Sequence, residues 1–182
     1  HSTHGQVINP LSIKIHRQFN QLDKIELTAL CHKNIKITRL LFNKFEATIT
    51  GHIKKKIWGV ITSFNYHIKA DSQDIIRLTI EPMSFKLNRD IKYRIYTNRN
   101  AADIIRSILN ENKIPYKMSL NESMLIRKNE TQYQESSLNF IQRLCAENGL
   151  YFLIENTLKQ QFLIIKDKLE SIHTVESPVI LS

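Results

Sequence analysis

Two carboxylates, Glu135 and Glu147, stand twelve residues apart on either side of a short amphipathic segment. A flanking pair of this kind is the arrangement in the chain that most invites a general acid–base reading. Its surroundings argue for structure instead. Glu135 falls just before a predicted helix start, where a negative charge gains a few tenths to about 1 kcal/mol from the helix dipole. Glu147 falls in the last turn, where the sign is wrong, so it requires a cation from elsewhere in the fold. Cys145 paired with a distant histidine would be a nucleophile candidate. It lies on the apolar stripe of the same helix, where desolvation suppresses the thiolate. The seven histidines are scattered singly apart from His1 and His4, and none has a partner at helical ligand spacing; a zinc site would have to be assembled in space. Gly5, Gly51, Gly59 and Gly149 are too far apart for a phosphate-cradling loop. HExxH, CxxC and GxSxG are absent. Phe64, Tyr66, Tyr93 and Tyr96, with nearby Lys and Arg, could stack nucleic-acid bases, although strand aromatics more often fill cores. The expectation is therefore no catalytic, cofactor-binding or metal-binding residue.

The elements that carry these residues centre on QYQESSLNFIQRLCAENGLYFLI, residues 132–154. It reads as strand, capped helix, glycine stop, strand. Ser136 is placed as N-cap, while Asn139 stands where a capping box would have Glu or Gln. Leu138, Ile141 and Cys145 share a stripe with Phe140 and Leu144 beside it, and Asn139, Gln142, Arg143 and Glu147 face away. Gly149 supplies the left-handed position after the helix, with Leu150 set to touch Cys145 in a Schellman ending. The following LYFLIE is short and β-prone.

This stretch resembles the VgrG family, the spike proteins of type VI secretion, which are related to contractile-phage baseplate hubs and late-control tail proteins. The resemblance rests on Tyr133, Gln134, Glu135 and Ser136, then Phe140, Arg143 and Leu144, then Gly149 and Tyr151. Ser137 departs from the family's Asp, Asn148 from an acidic residue and Phe152 from a second Tyr. Weaker matches follow the same order along the chain: Gly59 within a His-Gly-Ile-Val-Thr-like strand with Trp58 in place of His, Pro82 before Phe85 and Leu87, Arg94-Ile95-Tyr96, and a last strand ending at Asp167.

At 182 residues, 42% hydrophobic and 24% charged, the chain is one large globular domain or two small ones. No run of about 18 apolar residues suggests a membrane span, and nothing resembles a signal peptide. Cys31 and Cys145 do not form a disulfide framework. The net charge of +9 admits an anionic partner, but Lys and Arg are dispersed, which reads as solvated faces.

Up to Leu22 the sequence yields no element. From Asp23 onward, Ile25, Leu27 and Ala29 alternate with polar residues, as do Phe45, Ala47 and Ile49. Gly51 to Lys56 reads as a polar turn. IWGVITSFNYHI is a third strand, in which Gly59 marks a bulge or a close backbone approach. IIRLTIEP is a fourth, ended by Pro82. IKYRIY is a strand, and Asn100 caps a helix with Ile104, Ile105, Ile108 and Leu109 on its apolar face. Segments 116–120 and 124–134 read as strands, and LYFLIE with QQFLIIKD as a hairpin. The fold class is mainly β with two helices.

The resemblance implies two small β-barrel-like subdomains, the second inserted in the first: 1–84, then 85–168, with 169–182 beginning the return. It implies a fragment or reduced member of the family, lacking the rest of the hub and the needle. The implied function is a structural hub that trimerises in the full-length protein, caps the inner tube, contacts baseplate components, and presents the needle and effectors. It also implies assembly in the bacterial cytoplasm, translocation by the apparatus, and no catalysis, cofactor or membrane insertion. The competing reading is a basic nucleic-acid-binding domain, for which only charge and aromatics speak.

Overall fold

The computed structural model describes residues 9–32, 37–49, 55–67, 73–121 and 123–168. The chain is mainly β and divides into two compact units. The first takes its described residues from 9–16 and 23–82, the second from 17–22 and 83–168. The tail from residue 169, expected to begin a return to the first subdomain, lies outside the described residues. None of the described helices is long and apolar enough to cross a membrane.

The first unit is one antiparallel sheet of β1 (Asn9–His16), β2 (Lys24–His32), β3 (Lys44–Ile49), β4 (Lys55–His67) and β5 (Gln73–Glu81), in the order β1-β2-β5-β4-β3. β1 lies where the sequence alone yields no element. Period-2 alternation places Ile25, Leu27, Ala29 and Cys31 of β2 beside Ile76, Leu78 and Ile80 of β5, and these form the core with Ile57 and Ile61 of β4. Phe45, Ala47, Ile49, Phe64 and Tyr66 pack partly buried against it. Of the two roles open to Gly59, close approach is the one realised. A Cβ there would sit 2.8 Å from the Glu81 carbonyl oxygen and collide with Ile80. The bulge in β4 comes two residues later, between Ile61 and Ser63. Buried Asp74 accepts a hydrogen bond from the Tyr66 hydroxyl, which pushes the phenol up to about 12. Burial, with Asp74 opposite, likewise raises the Cys31 thiol.

The second unit contains β6 (Ile91–Arg99), α1 (Ala101–Glu111), β7 (Tyr116–Ser119), β8 (Arg127–Ser136), α2 (Ser137–Glu147), β9 (Tyr151–Asn156) and β10 (Gln161–Lys166). β7 runs parallel to β10, β9 antiparallel to it, and β6 pairs with β8 as a separate two-stranded ribbon. Ile104, Ile105, Ile108 and Leu109 of α1 meet Phe140, Ile141, Leu144 and Cys145 of α2, with Phe152, Leu163 and Ile165 beneath. Both helices begin on a side-chain oxygen: Asn100 Oδ1 accepts from Asp103 N at 2.8 Å and Ser136 Oγ from Asn139 N at 3.1 Å. Both also close in a Schellman manner, with Ile114 N donating to Leu109 O at 2.9 Å and Leu150 N to Cys145 O at 2.8 Å. Gly149 supplies the positive φ of 65° at the second ending, and Lys113 tolerates 52° at the first.

Residues 17–22, between β1 and β2 in sequence, are part of the second unit. Asn20, at φ 58°, serves the free edge of β9. Its N–H donates to Phe152 O at 3.0 Å and its Oδ1 accepts from Phe152 N at 2.8 Å. Its carbonyl accepts from Gln142 Nε2 at 2.7 Å. Asn visits this left-handed region more readily than other side chains, and here it pairs a strand edge that would otherwise stay open.

Candidate assembly interface

The β6–β8 ribbon positions the signature residues. Strand alternation puts Arg94, Tyr96, Glu130 and Gln132 on the inward face, with Arg94 opposite Gln132 and Tyr96 opposite Glu130. Inward space here is taken by polar and aromatic groups rather than aliphatic ones. Glu130 is 7% exposed and Gln132 fully buried. Tyr96 stacks on Phe140 with ring centroids 5.8 Å apart. Arg94 grips Glu111 of α1 through two bonds of 2.6 Å, a bidentate geometry stronger than a single contact.

Arg143 of α2 ties the helix to the ribbon. Its guanidinium reaches Glu130 at 2.9 Å, Glu135 at 2.8 Å, Glu147 at 3.3 Å and the Thr131 carbonyl at 2.7 Å. It also lies 5.0 Å over the Phe140 ring. Arg127 completes the set with bonds to Glu130 at 2.6 Å and Glu147 at 2.5 Å. The structure thus joins Glu135 and Glu147 through one arginine. Arg127 chiefly, with Arg143, holds the Glu147 carboxyl below the usual carboxylate range, and the Arg143 guanidinium is itself raised, foremost by Glu135. A carboxylate held ionised by two arginines is a poor proton donor near neutral pH. Cys145 is pushed up to about 12 by burial alone, which leaves its thiol unreactive.

The remaining signature residues have distinct places. Tyr133 points outward, and Gln134 takes a φ of 50° where the ribbon register slips between Lys92 and Tyr93, a β-bulge on β8. Ser136 caps α2, while Phe140 and Leu144 are fully buried. Gly149 terminates α2. Tyr151 packs edge-on against Phe19 and donates its hydroxyl to the Lys168 carbonyl at 2.6 Å.

The outward face of the ribbon inverts the usual polarity. Tyr93 lies opposite Tyr133, Ile95 opposite Thr131 and Thr97 opposite Asn129, with Ile91 extending the row. Ile91, Tyr93, Ile95 and Tyr133 are 54, 63, 70 and 70% exposed. The two tyrosines meet edge to face at 5.4 Å, beside a shallow depression that Ile95 and Thr131 also line. None of these seven positions carries a charge, in a chain of net +9. A contiguous exposed apolar strip of this kind marks an interaction surface. Sequence reasoning missed it because alternation shows which residues share a face and not which face is covered. The available signal was Ile91, Tyr93 and Ile95 interleaved with Lys92 and Arg94.

Of the four aromatics with base-stacking potential, Phe64 and Tyr66 belong to the first unit and pack on its core; in the second unit Tyr96 is stacked on Phe140, and Tyr93 exposes its ring. Among the described residues no group of three or more His, Cys, Asp or Glu is placed to hold a metal ion.

Comparison with known proteins gives a consistent family. The profile of the phage tail baseplate hub (GPD) matches residues 16–180. The type VI secretion system spike protein VgrG4b of Pseudomonas aeruginosa is 33% identical over 94 residues, 50% of this chain and 12% of that protein. VgrG1c of the same organism is 22% identical over 127 residues, 69% of this chain and 18% of that protein. The chain thus corresponds to under a fifth of these relatives' length. Among solved structures, the E. coli c3393 protein, described as a component of the type VI secretion system, superposes with a TM-score of 0.83 at 20% identity. That match covers 91% of this chain and 47% of that one. The Francisella PdpA–VgrG complex gives 0.62 at 11% identity over 90% of this chain and 28% of that one. At these identities the structures establish the shared fold. The profile match, extending over nearly the whole sequence, establishes the family: the chain belongs to the phage tail baseplate hub family.

Proposed function

We propose that this chain is the hub-forming piece of a VgrG-like spike protein, a structural component of a contractile secretion apparatus. The observation that carries the reading is the baseplate-hub match over residues 16–180. In the longer protein the hub assembles as a homotrimer, caps the inner tube, contacts baseplate components and presents the needle and its effectors. The nested arrangement of subdomains, 1–84 interrupted by 85–168 and resumed from 169, belongs to the same reading. The uncharged outward face of the β6–β8 ribbon supplies an assembly surface, and the arginine–glutamate cluster holds that ribbon against α2. This region does no catalysis; any enzymatic effector lies elsewhere in the longer protein. Assembly takes place in the bacterial cytoplasm and is followed by translocation through the apparatus.

The test is genetic. Removing residues 83–168 from the full-length protein in its own cells should abolish secretion of the inner-tube protein, and a plasmid copy of the intact gene should restore it. Undiminished secretion without this segment would sink the hub reading.

A further inference from the structure

We infer that Asn148 is a spontaneous deamidation site gated by the ending of α2: the folded ending holds its side-chain amide, and opening of that last turn releases it to reaction with water. Asn148–Gly149 is the one Asn-Gly pair in the sequence. Glycine is the successor that most favours this reaction, because no side chain shields its backbone nitrogen or restricts its rotation. In the first step the Gly149 nitrogen attacks Cγ of Asn148. A five-membered imide forms, and Nδ2 leaves as ammonia, carrying the proton that Gly149 gave up. Water then opens the ring at either carbonyl, leaving an aspartyl or isoaspartyl residue at position 148. The net change is amide plus water to acid plus ammonia, with nothing oxidised or reduced.

The structure sets when this chemistry proceeds. Gly149 is exposed and Asn148 half-buried, so water has access. The closed ending lacks the geometry for attack. Asn148 has a ψ of 14°, which turns the Gly149 nitrogen back towards the Asn148 nitrogen and away from the side chain. The amide is also tied, with Nδ2 donating to the Leu144 carbonyl at 2.7 Å. Closing the ring requires rotation about the Cα–C bond of Asn148, and that rotation carries Leu150 with it. Leu150 N donates to Cys145 O at 2.8 Å, and its side chain is 4% exposed in the core of this unit. Attack therefore waits until the Schellman bond breaks and Leu150 leaves its place, a local opening of the last turn. The change runs one way. A carboxylate at position 148 has no proton to donate to the Leu144 carbonyl, and it adds negative charge at the negative end of the helix.

The experiment incubates the 182-residue chain at neutral pH, folded and unfolded in guanidinium. Samples are quenched in acid and cut with pepsin, and tandem mass spectrometry reads the acid formed at each asparagine. The unfolded chain should convert Asn148 before any other asparagine. The folded chain should convert at the same position at least tenfold more slowly. Leu150→Ala, which loosens the ending and keeps the Asn-Gly pair, should raise the folded rate at least threefold and leave the unfolded rate unchanged. If that variant does not fold, hydrogen exchange of the Leu150 amide in the parent takes its place: exchange and conversion should rise together across low guanidinium concentrations. Equal folded and unfolded rates overturn the inference, as does a folded chain that gains no acid at position 148 within months. Earlier conversion at another asparagine overturns it too, as does a folded Leu150→Ala rate equal to the parent's or conversion that does not follow exchange of the Leu150 amide.

Discussion

The two faces of the β6–β8 ribbon are built from alternate residues of the same strands, yet they obey opposite rules. The inward face is polar and mostly engaged: Arg94 with Glu111, Glu130 with Arg127 and Arg143, and Gln132 donating to the Glu135 carbonyl at 3.1 Å, while the buried Oε1 of Gln132 meets no donor among the described residues. The outward face is apolar and open. In a free-standing domain the apolar row would turn inward, because burying it removes roughly 25 cal/mol per Å² of unfavourable hydration. The inversion teaches that, Tyr96 apart, this ribbon is held on its inward side by directional charge-assisted bonds and not by an aliphatic row.

The comparison breaks most severely at Arg143. Arg143→Ala strands the 7%-exposed Glu130 with Arg127 as its remaining partner. Breaking a buried ion pair on one side costs about 3–5 kcal/mol when no other partner remains, so the surviving Arg127 bond should reduce the loss to about 2–3 kcal/mol. Urea denaturation of the variant checks this, and a loss below 1 kcal/mol would mean the inward network does not hold the ribbon.

A second attack reaches the same network from the end of α2. Gly149→Val places a β-branched residue at φ 65° and should destabilise by about 1 kcal/mol or more. Apart from its chain neighbours, nothing lies within 4 Å of a Cβ built there, so backbone strain is the main cost, and Gly149→Asn should recover most of it. An unchanged denaturation midpoint in the valine variant would remove the argument.

A smaller effect separates the faces by pH. Glu147 is held below 4.5 in the folded state. As pH falls, the unfolded chain binds the proton first, so the stabilisation present above the unfolded value is lost as pH passes through the folded one. Glu147→Gln should be less stable than the parent at pH 7, and the gap should narrow as pH falls below the ordinary glutamate value and through the lower folded one. A gap that persists in acid would point to packing instead of charge. On the outward face, Ile95→Lys should shift stability by no more than about 0.5 kcal/mol, since a 70%-exposed side chain has little to lose.

The smallest expected effect concerns nucleic acid. At +9 the chain should bind DNA weakly at low salt and lose nearly all binding near 0.15 M, where screening acts over about 8 Å. Tyr93→Ala should leave that behaviour unchanged. Salt-resistant affinity that drops by roughly 1–3 kcal/mol in Tyr93→Ala would instead revive a base-stacking surface.

Much of the fold was legible from local signals. Ser136, the apolar stripe of α2 and Gly149 are each read within a few residues, and the helix caps and ending form as those spacings require. Strand alternation likewise placed Ile76, Leu78 and Ile80 together in the first unit's core. The same reading missed β1, whose residues are mostly exposed along an edge and show no clear buried row.

By itself the sequence determined the local elements, the residues sharing each face, and the family, because these depend on neighbours in the chain and on a recognisable run of residue types. Only the tertiary structure decided which face of the β6–β8 ribbon is covered, that Arg143 gathers Glu130, Glu135 and Glu147, and that Asn20 pairs the edge of β9. Asn20 and Phe152 are 132 positions apart, and no periodicity reaches that far. Burial is a property of what packs on a surface; period-2 alternation divides a strand into two rows and is silent on which row meets water.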